Sequence, residues 1–138
     1  SHLQLFNLTK DILSAINDNR GKINIIFWFF QLKLLNLLGF KPNLSNCSNC
    51  QNSLITANFF SGELFCDKCS TIRQIKLNKN SLNMLKSINK IKIENMSKLN
   101  IHSIERKEIG EFLKQYYSYH IDGLREIKSL RVMESILN

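Results

Sequence analysis

Apolar residues recur at helical spacing toward both ends of this 138-residue chain and give way in the middle to a short stretch of strand-like pattern. From Leu3 to Asp18 the positions Leu5, Leu8, Ile12 and Ile16, with Leu13 beside them, mark one face of a helix that Asn19-Arg20-Gly21 breaks. A second run, Ile23 to Phe40, is more apolar and is interrupted by Asn24, Gln31, Lys33 and Asn36. It falls short of the roughly 20 residues that a membrane span needs, so it reads as a buried helix. Gly39 is the expected residue just past its end, and Pro42 follows as a stop signal.

Beyond Pro42 the period changes. Ile55 to Phe60 and Glu63 to Phe65 flank Ser61-Gly62, the arrangement of a tight β-hairpin. Helical spacing then returns. Ser81 is a candidate cap for a helix that turns Leu82, Leu85 and Ile88 inward, which leaves Lys79, Lys86 and Lys90 along one outer face. From Ser103 to Ile121, Ile109, Phe112, Leu113, Tyr116 and His120 form one face, and Lys107, Glu111, Lys114 and Ser118 the other. Gly123 separates a last helix in which Ile127, Leu130, Met133 and Leu137 oppose Arg125, Lys128 and Arg131.

The hairpin sits between the four cysteines of the chain. Cys47 and Cys50 form one Cys-x2-Cys pair, Cys66 and Cys69 a second. Two intervening residues let both sulfurs of a knuckle reach one ion at about 2.3 Å, and a hairpin brings the second knuckle beside the first. The reading is one structural Zn2+ held by Cys47, Cys50, Cys66 and Cys69. Four thiolates close the coordination sphere and leave no position for water or substrate. Paired disulfides are the competing reading, but such doublets in a basic chain without a secretory signal favour metal. The same absence makes the cytoplasm the expected compartment, with no membrane association.

Charge changes the picture in one segment. The chain carries 19 Lys and Arg against 11 Asp and Glu, a formal net charge of +8. Between Asp67 and Glu94 stand seven basic residues, Lys68, Arg73, Lys76, Lys79, Lys86, Lys90 and Lys92, and no acid. Solvating faces normally mix both signs, whereas an acid-free basic stretch attracts phosphates and releases their counterions. The alternative, that these lysines only solvate the surface, stands beside it. Candidate nucleic-acid contacts are therefore Lys76, Lys79, Lys86, Lys90, Arg125, Lys128 and Arg131. Tyr117 and Tyr119, with Arg125, Lys128 and Arg131, are candidates for a pocket that takes an acidic partner segment; the alternative is that these tyrosines pack internally and the basic residues only solvate.

Catalysis finds no support. His2, His102 and His120 stand apart in sequence, no glycine-rich phosphate loop occurs, no nucleophile elbow surrounds a serine, and the cysteines are committed to metal. The expectation is a chain that is not an enzyme.

These residues together carry a resemblance. The succession Phe30 to Pro42 (FQLKLLNLLGFKP), then Leu44, the first knuckle, the hairpin Phe59-Phe60-Ser61-Gly62-Glu63-Leu64-Phe65 and the second knuckle, resembles the bacterial DNA repair and recombination RecO family. Tyr116-Tyr117-Ser118-Tyr119-His120 running into Ile127-Lys128-Ser129-Leu130 is similar to the way that family closes its chain. The resemblance implies a mainly α fold, a helical bundle with an inserted four-cysteine zinc-ribbon-like β-hairpin. It implies one helical domain over 1–138, with helices in 1–40 and 79–138 and the zinc module at 44–72, and without the family's N-terminal OB-fold domain. It further implies a non-enzymatic recombination mediator, cytoplasmic and nucleoid-associated. Such a mediator binds single- and double-stranded DNA, anneals strands, engages RecR and the tail of single-stranded-DNA-binding protein, and acts on RecA indirectly.

A rival resemblance comes from GTPase-activating domains for Arf proteins, which also embed a four-cysteine ribbon in helices. There an arginine finger follows the last cysteine, and Cys69-Ser70-Thr71-Ile72-Arg73 brings Arg73 one residue early. One residue at a helix start misdirects a side chain by roughly 100°, and the finger must meet developing phosphate charge. A third reading is a zinc-stabilised protein-docking module without DNA contact.

Overall fold

The computed structural model describes residue 4 and residues 7–10, 23–70 and 75–120. Residues 7–10 are helical, within the first helix expected from the periodicity; most of that helix, Arg73, and the last helix with Arg125, Lys128 and Arg131 lie outside the described residues. The elements in chain order are α1 (Ile23–Leu38), β1 (Ala57–Phe60), β2 (Glu63–Phe65), β3 (Ile75–Leu77), α2 (Lys79–Lys90), a 3-10 turn (Ile93–Lys98) and α3 (Ser103–His120).

α1 is apolar around nearly its whole circumference and is buried accordingly: Ile25, Ile26, Trp28, Phe29, Phe30, Gln31, Leu32, Leu34 and Leu35 are all interior. Its end follows the expected glycine stop. Gly39 adopts φ +85°, the Phe40 amide donates to the Leu35 carbonyl at 2.9 Å, and the Gly39 amide donates to Asn36 at 3.2 Å. These two bonds are a Schellman closure. No helix among the described residues is long and apolar enough to cross a membrane.

The mainly α expectation is corrected in one respect: the fold is mixed, and the ribbon contributes a three-stranded antiparallel sheet rather than a lone hairpin. Its order is β2-β1-β3. β3 was not expected, and it pairs with β1 through Ala57↔Leu77, Asn58↔Lys76 and Phe59↔Ile75. A two-stranded ribbon is marginal in water, and a third strand with an apolar face gives a helix something to pack on. Ala57, Phe59, Leu64 and Leu77 supply that face and are buried. The turn between β1 and β2 has φ 50° at Ser61 and 85° at Gly62, the two positive values that suit a twisted hairpin.

α3 lies across the sheet and also meets α2 and α1. Phe112 meets Phe59 edge-on at 5.6 Å between ring centroids, and Tyr116 lies 6.1 Å from Phe59. α2 turns Leu82, Leu85 and Ile88 inward as expected. Its cap is Asn78 rather than Ser81: the Asn78 side chain accepts from the Ser81 amide at 2.8 Å. The Ser81 hydroxyl instead donates to Glu108 of α3 at 2.8 Å. Glu108 also accepts from the Asn78 amide at 2.7 Å, so α3 itself completes the start of α2.

Candidate metal centre and the lysine face

Two knuckles converge because the backbone around each is independently bonded. In the first, the Cys47 amide donates to Asn52 at 2.8 Å, the Gln51 amide donates to Cys47 at 3.0 Å and the Leu54 amide donates to Ser45 at 2.8 Å. Leu44 and Leu54 anchor its base in the core. The second knuckle leaves β2 directly, with the Cys69 and Ser70 amides donating to the Cys66 carbonyl at 3.2 and 3.1 Å. The Ser48 amide then donates to Leu64 of β2 at 2.9 Å, which fixes one knuckle against the other.

All four sulfurs lie within 4.8 Å of one another. A tetrahedron with metal–sulfur bonds of about 2.3 Å sets its sulfurs about 3.8 Å apart, and Cys50 Sγ to Cys66 Sγ is 3.8 Å. Nitrogen donors already point at the sulfurs, with the Cys66 amide 3.3 Å from Cys47 Sγ and the Asn49 side-chain amide 3.4 Å from Cys69 Sγ. Burial pushes the Cys47 thiol up, but hydrogen bonds from the backbone of Cys50, Cys66 and Asn49 outweigh it and leave it at about 6. At Cys50 the Asn52 backbone pulls down, while desolvation and the neighbouring Cys47, Cys69 and Cys66 side chains push up, to about 11. Opposed shifts of this kind mark sulfur atoms too close to ionise together without a cation among them. The residues fit a metal ion, and no other such group of His, Cys, Asp or Glu converges among the described residues.

The expected nucleic-acid lysines are spread over two elements. Lys76 on β3 lies 3.8 Å from Asp67, while Lys79 and Lys90 are exposed and Lys86 half-buried on α2. Lys86 and Lys90 border a groove of about 420 Å³ that they share with Lys41. Lys41 follows α1 in the chain and escaped the sequence reading, because only the fold carries it to α2. Of the tyrosines named for partner docking, Tyr119 is exposed and Tyr117 is not. Tyr117 is buried, donates its hydroxyl to the Gln31 carbonyl at 2.7 Å, and burial drives its pKa up. Its role as a pocket wall is therefore corrected to core packing. An apolar hollow occurs elsewhere: Leu8, Phe29, Leu37 and Ile93 line about 500 Å³, with Lys33 and Lys92 at its rim.

The chain matches the family described as "Recombination protein O C terminal" over residues 1–131. It belongs to that family. It is 30% identical over 135 residues to the DNA repair protein RecO of Pelotomaculum thermopropionicum, covering 94% of this chain and 51% of that protein. With the RecO protein of Alkaliphilus metalliredigens it shares 29% identity over 138 residues, 96% of this chain and 56% of the relative. With that of Flavobacterium psychrophilum it shares 30% over 122 residues, 88% and 47%. The chain thus spans about half the length of the curated relatives it matches. No solved structure matches it significantly. These relatives carry the name DNA repair protein, and membership of their family displaces the Arf-directed reading of the ribbon.

Proposed function

We propose that this chain is the helical, zinc-stabilised part of a recombination mediator that binds DNA without making or breaking bonds. The observation that carries the reading is family membership over residues 1–131, joined to a four-sulfur centre and to a lysine face on α2. The ion is Zn2+: four sulfurs within 4.8 Å of one another suit it, and it holds the knuckles without taking part in chemistry. Residues 1–138 act as one helical domain, with the zinc module at 44–72. Single- and double-stranded DNA are held through phosphates by Lys76, Lys79, Lys86, Lys90, Arg125, Lys128 and Arg131. RecR, the acidic tail of single-stranded-DNA-binding protein and, indirectly, RecA are the partners.

The tail of single-stranded-DNA-binding protein, acidic and ending in an aromatic residue, needs an apolar seat rimmed by cations. The hollow of Leu8, Phe29, Leu37 and Ile93 beside Lys33 and Lys92 meets that need better than a wall containing the buried Tyr117. Titration of a labelled tail peptide against Lys92→Glu and Leu37→Asp tests this, with weaker binding expected for both; Leu37 is 41% exposed, so its replacement spares the core.

Anisotropy with a labelled duplex over a range of salt tests DNA binding. Replacing Lys79, Lys86 and Lys90 together by Glu is expected to weaken binding and to flatten the slope of log K against log salt by about 0.9 per lost contact. An unchanged slope would place the phosphates elsewhere.

A further inference from the structure

The lysine groove does not end at Lys41. The 41–46 loop that walls it also walls a second hollow of about 250 Å³, lined among others by Glu63, Tyr116 and His120, and Lys41, Pro42, Asn43 and Asn46 belong to both. The loop is held in place: Pro42 and Leu44 are buried while Lys41, Asn43 and Ser45 face solvent. The Asn43 side chain accepts from the Ser45 and Asn46 amides at 3.0 and 3.1 Å. The two hollows are thus neighbours along one surface with a rigid divider between them.

Their chemistry differs. The first is bordered by Lys41, Lys86 and Lys90 and by no acid. The second carries Glu63 and is edged by an aromatic cluster, His120 with Phe40 at 6.1 Å and Tyr119 at 5.1 Å between ring centroids. Phe40 is 40% and Tyr119 59% exposed, an unusual position for large rings at the ends of two helices. Tyr119 is also held still, because its ring covers Gly62 closely while the adjacent His120 bonds the Gly62 carbonyl at 2.7 Å.

Resting on the DNA-binding reading, we propose that this surface is a single-strand seat in which Lys41, Lys86 and Lys90 take the backbone phosphates and Tyr119 and Phe40 stack unpaired bases. Fixed lysines serve any phosphate chain, but exposed rings accept only bases that are not already stacked within a duplex. Glu63 repels phosphate and tolerates base edges, so the order along the surface is backbone first, bases second. An acidic peptide would find cations here but a less apolar floor than in the hollow beside Phe29.

The test uses the full metal-loaded chain with a labelled oligothymidine and a labelled duplex of equal length. Lys41→Glu with Lys90→Glu is expected to weaken both and to reduce the single-strand salt slope by about 0.7 per contact. Tyr119→Ala is expected to weaken the single strand by about 5- to 150-fold, the range for loss of one stacked base, to leave the duplex unchanged, and to be rescued by Tyr119→Phe. Metal content and melting are followed for each variant, and Phe40→Ala reports on the same edge if Tyr119→Ala disturbs the hairpin. For Tyr119→Ala, equal losses on strand and duplex, or none on the strand, would overturn the proposal while the DNA-binding reading stands. Absence of binding by the unaltered chain would remove both. An acidic peptide that competes more tightly than oligothymidine, through Lys41 and Lys90, would reassign the groove to a protein partner.

Discussion

The helical body and the ribbon are held together by different physics. In the body, α1 buries nine residues along sixteen, and α2 adds Leu82, Leu85 and Ile88, each with no exposed surface. At roughly 1.5–3 kcal/mol for each fully buried aliphatic or aromatic side chain, such helices are secured by area alone. The ribbon's strands have four, three and three residues, its knuckles are polar, and three of its four cysteines are partly or fully exposed. Its own apolar area is too small to order it. The contrast teaches how a surface module can stay ordered without a larger core: an ion held by its four sulfurs would supply metal–sulfur bonds in place of apolar contacts, and one helix clamps the module.

Metal removal should separate the two regions most strongly. Structural zinc contributes apparent binding energies on the order of 10 kcal/mol, so chelation is expected to abolish amide protection at 44–70 while α1 and α2 keep theirs. Hydrogen exchange followed by mass spectrometry reads both at once, and simultaneous loss everywhere would show a single cooperative unit instead. Next in size is Phe59→Ala, which removes the ring shared by β1 and α3. Its expected cost is about 3–5 kcal/mol, measured by denaturant titration, and larger than for any exposed ribbon position.

Alkaline pH acts on the joint between the regions. Burial, and secondarily the charge of Glu63, raise Tyr116 from 10.0 to about 12. Its neutral form is therefore favoured by folding. Stability from this group is complete below pH 10 and declines above it, by up to about 1.4 kcal/mol per pH unit, until the folded phenol itself ionises near 12. Tyr116→Phe should remove that part of the pH dependence while losing the hydrogen bond to the Phe40 carbonyl; melting temperatures from pH 8 to 11 decide. The smallest effect is Asn78→Ala, about 1 kcal/mol for a lost cap. It should lower the stability of the helical body with the metal site intact, as metal content would confirm.

Much of this architecture is legible in the residues because it depends on local chemistry. The four cysteines, the Gly39 stop, the Ser61-Gly62 turn and the inward face of α2 all lie where spacing and turn preference put them. What was missed depends on distant partners. β3 is three residues whose strand character exists only opposite Ala57, Asn58 and Phe59. Asn78 and Ser81 are equally good caps in isolation, and it is Glu108, recruited from α3, that draws the Ser81 side chain away. Lys41 joins Lys86 and Lys90 only through the fold. Tyr117 was legible: it lies one turn from Leu113 and two from Ile109, both buried, so the helical period already favoured internal packing over the docking role set beside it.

The clamp on Gly62 reverses the usual tolerance of a hairpin. A loop tip is normally where a chain accepts insertions, tags and proteolytic nicks, because little touches it. Here any side chain at position 62 would run into the Tyr119 ring, at a φ of +85° that L residues rarely adopt. The tip of this ribbon is therefore an interior point in all but sequence position. Extra residues between Ser61 and Gly62 would detach the end of α3 from the sheet rather than loop harmlessly into solvent, so this turn is the wrong place to attach a probe.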